Sequence, residues 1–193
     1  MTSGDKGIGV DDRVESRELV ERARNGDHQA WELLYRRAYP GLLAYAQRRL
    51  YGFDEARDAV GETMARAVAR IGKFTWQGGG FDAWLFGILR HVVLDAQRRA
   101  RRRSGGLPRE RPVAEASPLD RLVDDEDAAA VRAAFLRLDP RDQEILELRV
   151  LGGLSADEVA SVIGKRAGAV RMAQSRALDR LRQLMQEVDH AGA

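Results

Sequence analysis

The sequence predicts an all-α protein made of two small helical domains, and three observations support this. Apolar residues recur every three or four positions through most of the 193 residues, and no alternating strand pattern interrupts them. Eleven of the twelve aromatic residues lie between positions 31 and 86, so the first part has an aromatic core and the second an aliphatic one. A segment rich in Gly, Pro and Ser separates the two parts.

Four helices are predicted in the first part, over residues 15–24 and from residues 27, 54 and 81 onward. The Asn25-Gly26 pair is a turn signal that ends the first of them. Pro40-Gly41 predicts a kink or break within the second, because proline removes a helical hydrogen bond. The three glycines Gly78–Gly80 separate the third helix from the fourth, which continues into a run of arginines.

Four more helices are predicted in the second part, over residues 119–138, 141–151, 156–163 and 167–188. Asp139-Pro140 places a capping residue before a proline at the first helical position. Ser155 and Glu158 have the spacing of a capping box, and Gly152-Gly153 ends the preceding helix. The predicted organisation is a flexible N-terminus (1–14), a first domain (15–103), a linker (104–118), a second domain (119–187) and a tail (188–193).

The formal net charge of +2 conceals charged blocks. Residues 90–111 carry eight arginines against two acids, and residues 112–127 carry six acids against one arginine. Residues 164–182 hold six basic residues against Asp179. Of the 32 basic residues only three are lysines; a preference for the bidentate guanidinium and a genomic codon bias explain this equally well.

Composition also excludes several classes of site. The absence of cysteine excludes disulfides, Cys-ligated metals and thiol nucleophiles. No stretch approaches the ~20 apolar residues of a membrane span, and the N-terminus has no apolar signal segment, so we expect a cytoplasmic protein. The three histidines are scattered, and no catalytic or nucleotide-binding motif occurs, so we expect no enzyme activity, no metal and no cofactor.

Helices 156–163 and 167–188, joined by a Gly164-Lys165 turn, have the length of a helix-turn-helix. At about 100° per residue, one side of the second helix carries its aliphatic residues and the other side its basic ones. Met172 lies on the basic side, where it is either an ordinary exposed apolar residue or a contact for a thymine methyl group. Gln174 is a polar residue on the apolar side, and an amide bonding nearby backbone is its simplest interpretation.

The first part carries two further signals. Five arginines within residues 98–103 exceed what a helix C-terminus needs and suggest phosphate binding. The segment from Phe74 to Phe81 combines aromatic residues with a glycine loop, as sites that stack an unpaired base do. Trp76 and Gln77 are the better candidates there, because Phe81 belongs to the apolar stripe of the fourth helix.

Taken in order, four blocks resemble the extracytoplasmic-function (ECF) sigma factors, the compact members of the sigma-70 family of bacterial RNA polymerase. The resemblance covers about residues 27–103 and 119–187, and its blocks are WELLYRRAYPGLLAYAQRRL, DEARDAVGETMARAVARIGKF, GGGFDAWLFGILRHVVLDAQRRARRR and LDPRDQEILELRVLGGLSADEVASVIGKRAGAVRMAQSRALDRLRQL.

The resemblance implies a sigma-two domain that binds the clamp helices of core polymerase and opens the minus-ten promoter element. It also implies a sigma-four helix-turn-helix that reads the minus-thirty-five element, a contact with the polymerase flap, and an anti-sigma factor. The polymerase-facing residues would be Glu55, Asp58 and Glu62. The minus-ten readers would be Trp76, Gln77, Arg90, His91, Arg98 and Arg99. The minus-thirty-five readers would be Lys165, Arg166, Arg171, Met172, Ser175 and Arg176.

Two positions depart from the family pattern. In the recognition helix, relatives commonly have the sequence GTV followed by a basic residue, then Ser and Arg. This chain has the sequence GAVRMA at residues 168–173. An Asn common after Arg90 is His91 here. The alternative function is a stand-alone helix-turn-helix regulator that binds only duplex DNA, in which case the first domain would be a sensor or dimerisation unit.

Overall fold

The computed structural model describes residues 10–76, 79–103 and 126–191, and the side chains of residues 15–76, 79–103 and 130–187. Over these ranges the chain is helical without a strand, which confirms the all-α prediction. The helices are α1 (Val10–Arg24), α2 (His28–Gln47), α3 (Phe53–Arg70), a 3-10 turn (Ile71–Lys73), α4 (Gly80–Arg103), α5 (Glu126–Leu136), α6 (Pro140–Val150), α7 (Ala156–Ile163) and α8 (Ala167–Ala191).

Helix α2 continues through Pro40, so of the kink or break predicted at Pro40-Gly41 the break is wrong. Pro40 lies on the exposed side of the helix, where water can bond the carbonyl that proline leaves without a helical partner. The buried residues Leu34, Leu42 and Tyr45 lie on both sides of the proline and keep one apolar stripe in contact with the core.

The outer boundaries differ slightly from the predicted ones. Helix α1 begins at Val10, five residues before the predicted start, so residues 10–14 of the predicted flexible N-terminus have helical backbone. The predicted linker 104–118 and the predicted helical residues 119–125 lie outside the described residues. Helix α8 continues to Ala191, beyond the predicted domain end at 187.

The N-terminal domain consists of α1–α4 around an aromatic and aliphatic core. Its largest fully buried side chains include Tyr45, Phe81 and Leu89. Phe74 packs edge-on against Phe81 with 5.6 Å between ring centroids, which joins the loop before α4 to the core. The aromatic core predicted for the first part is therefore present.

The C-terminal domain consists of α5–α8, and its helix ends agree with the predicted capping chemistry. Asp139 accepts a hydrogen bond from the Arg141 amide at 2.8 Å. Ser155 Oγ accepts from the Glu158 amide at 3.2 Å, while Glu158 Oε2 accepts from the Ser155 amide at 2.7 Å, which completes the capping box. Ala134, Leu146, Ala177 and Leu184 belong to a small aliphatic core between α5, α6 and α8.

The two domains pack against each other, which the sequence did not predict. Helix α7 lies along α4, and Ile145, Leu148 and Val159 join the apolar core of the N-terminal domain. Gly41 lies so close to the second domain that a Cβ there would be 2.7 Å from the Leu151 carbonyl oxygen. This glycine therefore permits a close approach of two backbones and does not mark a turn.

Carboxylates on α6 connect the two domains. Glu144 accepts hydrogen bonds from Tyr45 Oη and Arg90 Nε, both at 3.0 Å. Glu147, with 4% of its side chain exposed, forms an ion pair with Arg49, whose side chain is 11% exposed. Burial raises the pKa of Tyr45, so its hydroxyl keeps its proton and acts as the donor.

Candidate nucleic-acid and polymerase interfaces

The outward face of α8 and the turn before it carry every residue predicted to read duplex DNA in the second domain. Helices α7 and α8 are joined at Gly164, whose positive φ of 67° ends α7 in the left-handed conformation. Val170, Ala177 and Leu184 are buried on the opposite side, as the helical wheel predicts. The predicted readers are all exposed, and they are Lys165, Arg166, Arg171, Met172, Ser175 and Arg176.

Met172 lies among basic residues, and 63% of its surface is exposed. A residue whose role is to pack in the core would be buried. Its thioether and methyl group are free to contact an apolar atom in a groove, such as a thymine methyl. The exposure agrees with both interpretations offered by the sequence, and it excludes a core position.

Gln174 has a structural explanation that the sequence did not supply. Its Oε1 accepts a hydrogen bond from Arg149 Nε at 2.9 Å, and Arg149 Nη1 donates to the Leu154 carbonyl at 2.6 Å. Arg149 thus connects α6, the turn before α7 and the recognition helix. Gln174 serves the orientation of α8 within the domain, and its partner is a side chain, not the backbone.

Two acids lie beside the cations of α8. Arg171 Nη1 is 3.4 Å from Asp157 Oδ2, and both side chains are mostly exposed. Burial raises the pKa of Asp142, aided by nearby Asp139, while Arg176 opposes the rise. The exposed pair of Arg171 with Asp157 contributes little to stability, so Arg171 can exchange this carboxylate for a phosphate.

The residues predicted to read the minus-ten element divide into an exposed and a covered group. His91, Arg98 and Arg99 are exposed along α4, and His91 Nδ1 lies 2.7 Å from the Gly87 carbonyl oxygen. Arg90 is paired with Glu144 of the second domain. Gln77 lies outside the described residues.

Trp76 is half-buried and not fully available for stacking. Its ring packs against Phe74 with centroids 5.0 Å apart, and the Arg17 guanidinium lies 5.2 Å from its centroid. A base could stack there only by replacing the Arg17 contact.

The acidic residues predicted to face polymerase lie together near the start of α3. Glu55 and Asp58 are exposed, and Glu62 pairs with Arg66 at 2.5 Å. Two apolar residues of the same helix, Phe53 and Val68, are also 50% and 54% exposed, but they lie on a different side of α3 from the carboxylates. The sequence analysis did not select them, although their places on the polar side of α3 gave a signal comparable to that of Met172.

A second surface missed by the sequence analysis is an apolar groove of about 390 Å³ between α5, α6 and α8. Phe135, Leu146, Val150 and Leu178 line it, with Arg48 of the N-terminal domain at one edge. Its members are dispersed over three helices, so no local pattern indicates it.

Among the described residues, no three His, Asp or Glu side chains form a group able to hold a metal ion. None of the described helices combines the length and the apolar character needed to cross a membrane.

Comparison with known proteins decides the family. The family model described as "Sigma-70 region 2" matches residues 34–103, and that described as "Sigma-70, region 4" matches residues 134–183. The ECF RNA polymerase sigma factor BldN of Streptomyces coelicolor is 38% identical over 177 residues, covering 90% of this chain and 67% of the relative. ShbA of Streptomyces griseus, another ECF sigma factor, is 35% identical, covering 88% and 94%. The chain belongs to the ECF sigma factors.

Two solved structures have the same fold as this ECF sigma factor. CnrH in complex with the cytosolic domain of CnrY superimposes with a TM-score of 0.67 and 25% identity, covering 90% of this chain and 98% of that one. RpoE in complex with the anti-sigma factor NepR from Bartonella quintana has a TM-score of 0.65 and 26% identity, covering 80% and 96%. The chain is therefore a non-enzymatic initiation factor that directs RNA polymerase in transcription.

Proposed function

We propose that α8 and the turn before it read the minus-thirty-five element through Lys165, Arg166, Arg171, Met172, Ser175 and Arg176. The observation that carries this proposal is the separation of α8 into a buried aliphatic side and an exposed basic side. Arginines on such a face suit guanine edges and phosphates, and Met172 suits a thymine methyl group.

The N-terminal domain is proposed to bind core polymerase and the minus-ten element. The carboxylates Glu55, Asp58 and Glu62 give α3 an acidic face. Exposed carboxylates on one side of a helix suit a basic partner surface on the clamp helices. Minus-ten reading is assigned to Trp76, Gln77, Arg90, His91, Arg98 and Arg99.

The groove between α5, α6 and α8 is the surface proposed for the polymerase flap, since it is the apolar concavity of the C-terminal domain. An anti-sigma factor is proposed as a further partner, because one of the structural neighbours described above is a complex of a sigma factor with an anti-sigma factor. The site of action is proposed to be the cytoplasm, without membrane insertion.

Reconstituted transcription on a genomic promoter library tests this assignment. Core polymerase with the full chain is expected to initiate at a subset of promoters that share two elements. Arg171→Ala is expected to reduce initiation at those promoters, whereas Arg180→Ala, which alters an exposed cation of α8 outside the assigned set, serves as the matched control. Equal loss from both variants would show a general effect of charge and contradict the assigned reading face.

A further inference from the structure

His91 presents a hydrogen-bond acceptor on the exposed side of α4. Its Nδ1 lies 2.7 Å from the carbonyl oxygen of Gly87, one helical turn earlier. A carbonyl oxygen can only accept a hydrogen bond, so Nδ1 carries a proton and donates it. In the neutral imidazole the other ring nitrogen, Nε2, is then an acceptor without a proton.

This acceptor is open to a ligand. The side chain of His91 is exposed, and its ring forms no other hydrogen bond among the described residues. Asp95, one turn later in α4, pairs with Arg98 at 3.1 Å. Gly87 places no side chain beside the ring, and a Cβ at that position would meet no atom within 4 Å.

Two arginines of α3 lie near His91. Arg66 and Arg70 line the same cavity as the histidine. Arg70 is exposed and has no carboxylate partner among the described residues, whereas Arg66 pairs with Glu62. Arginine contacts with phosphates fix the position of a nucleotide, and contacts with base edges read its identity. The arginines can therefore hold phosphates while Nε2 of His91 meets a base.

The bases differ in what they offer to an acceptor. On the major-groove edge, the amino groups N6 of adenine and N4 of cytosine are donors, whereas guanine and thymine present acceptors. An acceptor without a proton bonds adenine or cytosine, and it leaves the carbonyl oxygen of guanine or thymine facing a lone pair. The hydrogen bond between His91 and Gly87 thus determines which bases the ring can read.

We infer that His91 determines base specificity at one position of the minus-ten element by accepting a hydrogen bond from the amino group of adenine or cytosine. This inference rests on the proposed minus-ten role of His91. Arg66 and Arg70 position the neighbouring phosphates.

The first experiment finds the position that His91 reads. Holoenzyme assembled from core polymerase and the full chain selects active promoters from a library randomised across the minus-ten element. His91→Arg presents only donors, so it is expected to reverse the base preference at one position and to leave the others unchanged. His28→Arg is the matched control, because it makes the same exchange at an exposed histidine of α2 and should alter no position.

The second experiment removes the amino group at that position. Every base pair carries one such group in the major groove, so purine replaces adenine or pyrimidinone replaces cytosine in the strand that contains it. The parent is expected to lose about fivefold in promoter affinity, as one hydrogen bond between neutral groups predicts. His91→Ala has no acceptor, so its affinity should be the same for the two promoters.

The outcomes separate the inference from the proposed function. If neither His91→Arg nor His91→Ala changes any position in the library, the minus-ten assignment of His91 is wrong and the inference fails with it. If one position changes but loss of the amino group affects the parent and His91→Ala equally, the minus-ten assignment stands and the acceptor role is refuted. A change at the same position in His28→Arg would show a general effect of charge and would also overturn the inference.

Discussion

Val170 and Met172 lie two residues apart in α8 and give the sharpest test of the orientation of this helix. Val170 is 1% exposed and Met172 is 63% exposed. Two residues correspond to a rotation of about 200°, so one side chain points into the domain and the other away from it. Substitution of each by alanine should therefore separate stability from DNA binding.

The expected magnitudes follow from burial. Val170→Ala removes two buried methyl groups at about 0.8 kcal/mol each, and a residual cavity brings the loss in free energy of unfolding to about 2 kcal/mol. Met172→Ala changes an exposed side chain and should stay within about 0.5 kcal/mol. Loss of one apolar contact with a thymine methyl, at about 0.8 kcal/mol, should weaken binding of the upstream element about fourfold.

Urea unfolding of the full chain measures the loss in free energy of unfolding for both variants. Titration with a duplex carrying the upstream element measures the change in DNA affinity of the Met172→Ala variant. A duplex without the element is the control, because Met172→Ala should leave non-specific binding unchanged. A loss of about 2 kcal/mol in the Met172→Ala variant, with a stable Val170→Ala variant, would refute the assigned helix phase.

Three further outcomes are expected. Arg176→Ala should lower the slope of log affinity against log salt by up to about 0.9 if Arg176 neutralises one phosphate, measured by duplex titration at several salt concentrations. Burial raises the pKa of Asp82, and Glu158 adds to this while Arg37 opposes it. The carboxylate therefore destabilises the folded state as pH rises above the ordinary value of 3.8, and Asp82→Asn should gain stability relative to the parent over that rise in urea unfolding. Ser155→Ala removes one half of the capping box and should cost about 1 kcal/mol of unfolding free energy.

Each of these outcomes has a control. Arg180→Ala should show how far a cation outside the assigned reading face alters the salt slope. A stability difference for Asp82→Asn that does not change with pH would contradict the raised pKa, because it would mean that attraction to Arg37 balances the effect of burial. Ser161→Ala, at an exposed serine in the same helix as the capping box, should leave stability within about 0.5 kcal/mol.

Local chemistry could be predicted from the sequence because it depends on neighbours along the chain. The capping box at Ser155 and the bounds of α7 follow from residues three or four positions apart, and the structure confirms both. The outward position of Met172 follows from the same periodicity. The predicted break at Pro40 was wrong, because buried residues before and after it in α2 stabilise the helix by more than the proline costs locally.

Contacts between distant parts of the chain could not be predicted in this way. Arg90 and Glu144 are 54 positions apart, and each alone has the sequence pattern of a charged residue on a solvated helix face. Gly41 has the pattern of a turn residue, and only the nearby Leu151 carbonyl shows why a side chain is excluded. The partner of Gln174 was missed for the same reason, since Arg149 lies 25 positions away.

The ion pair between Arg49 and Glu147 also bears on how easily the two domains separate. The buried Nε of Arg49 has no hydrogen-bond acceptor among the described residues, although its guanidinium stacks 4.5 Å from the Tyr45 ring centroid. Water would accept a hydrogen bond from this N–H group if the domains were apart, whereas the group makes none when they are packed together. Apolar residues of similar volume would remove this unpaired donor and hold the halves more tightly. The pair between Arg49 and Glu147 therefore adds specificity to the junction of the two domains more than it adds stability.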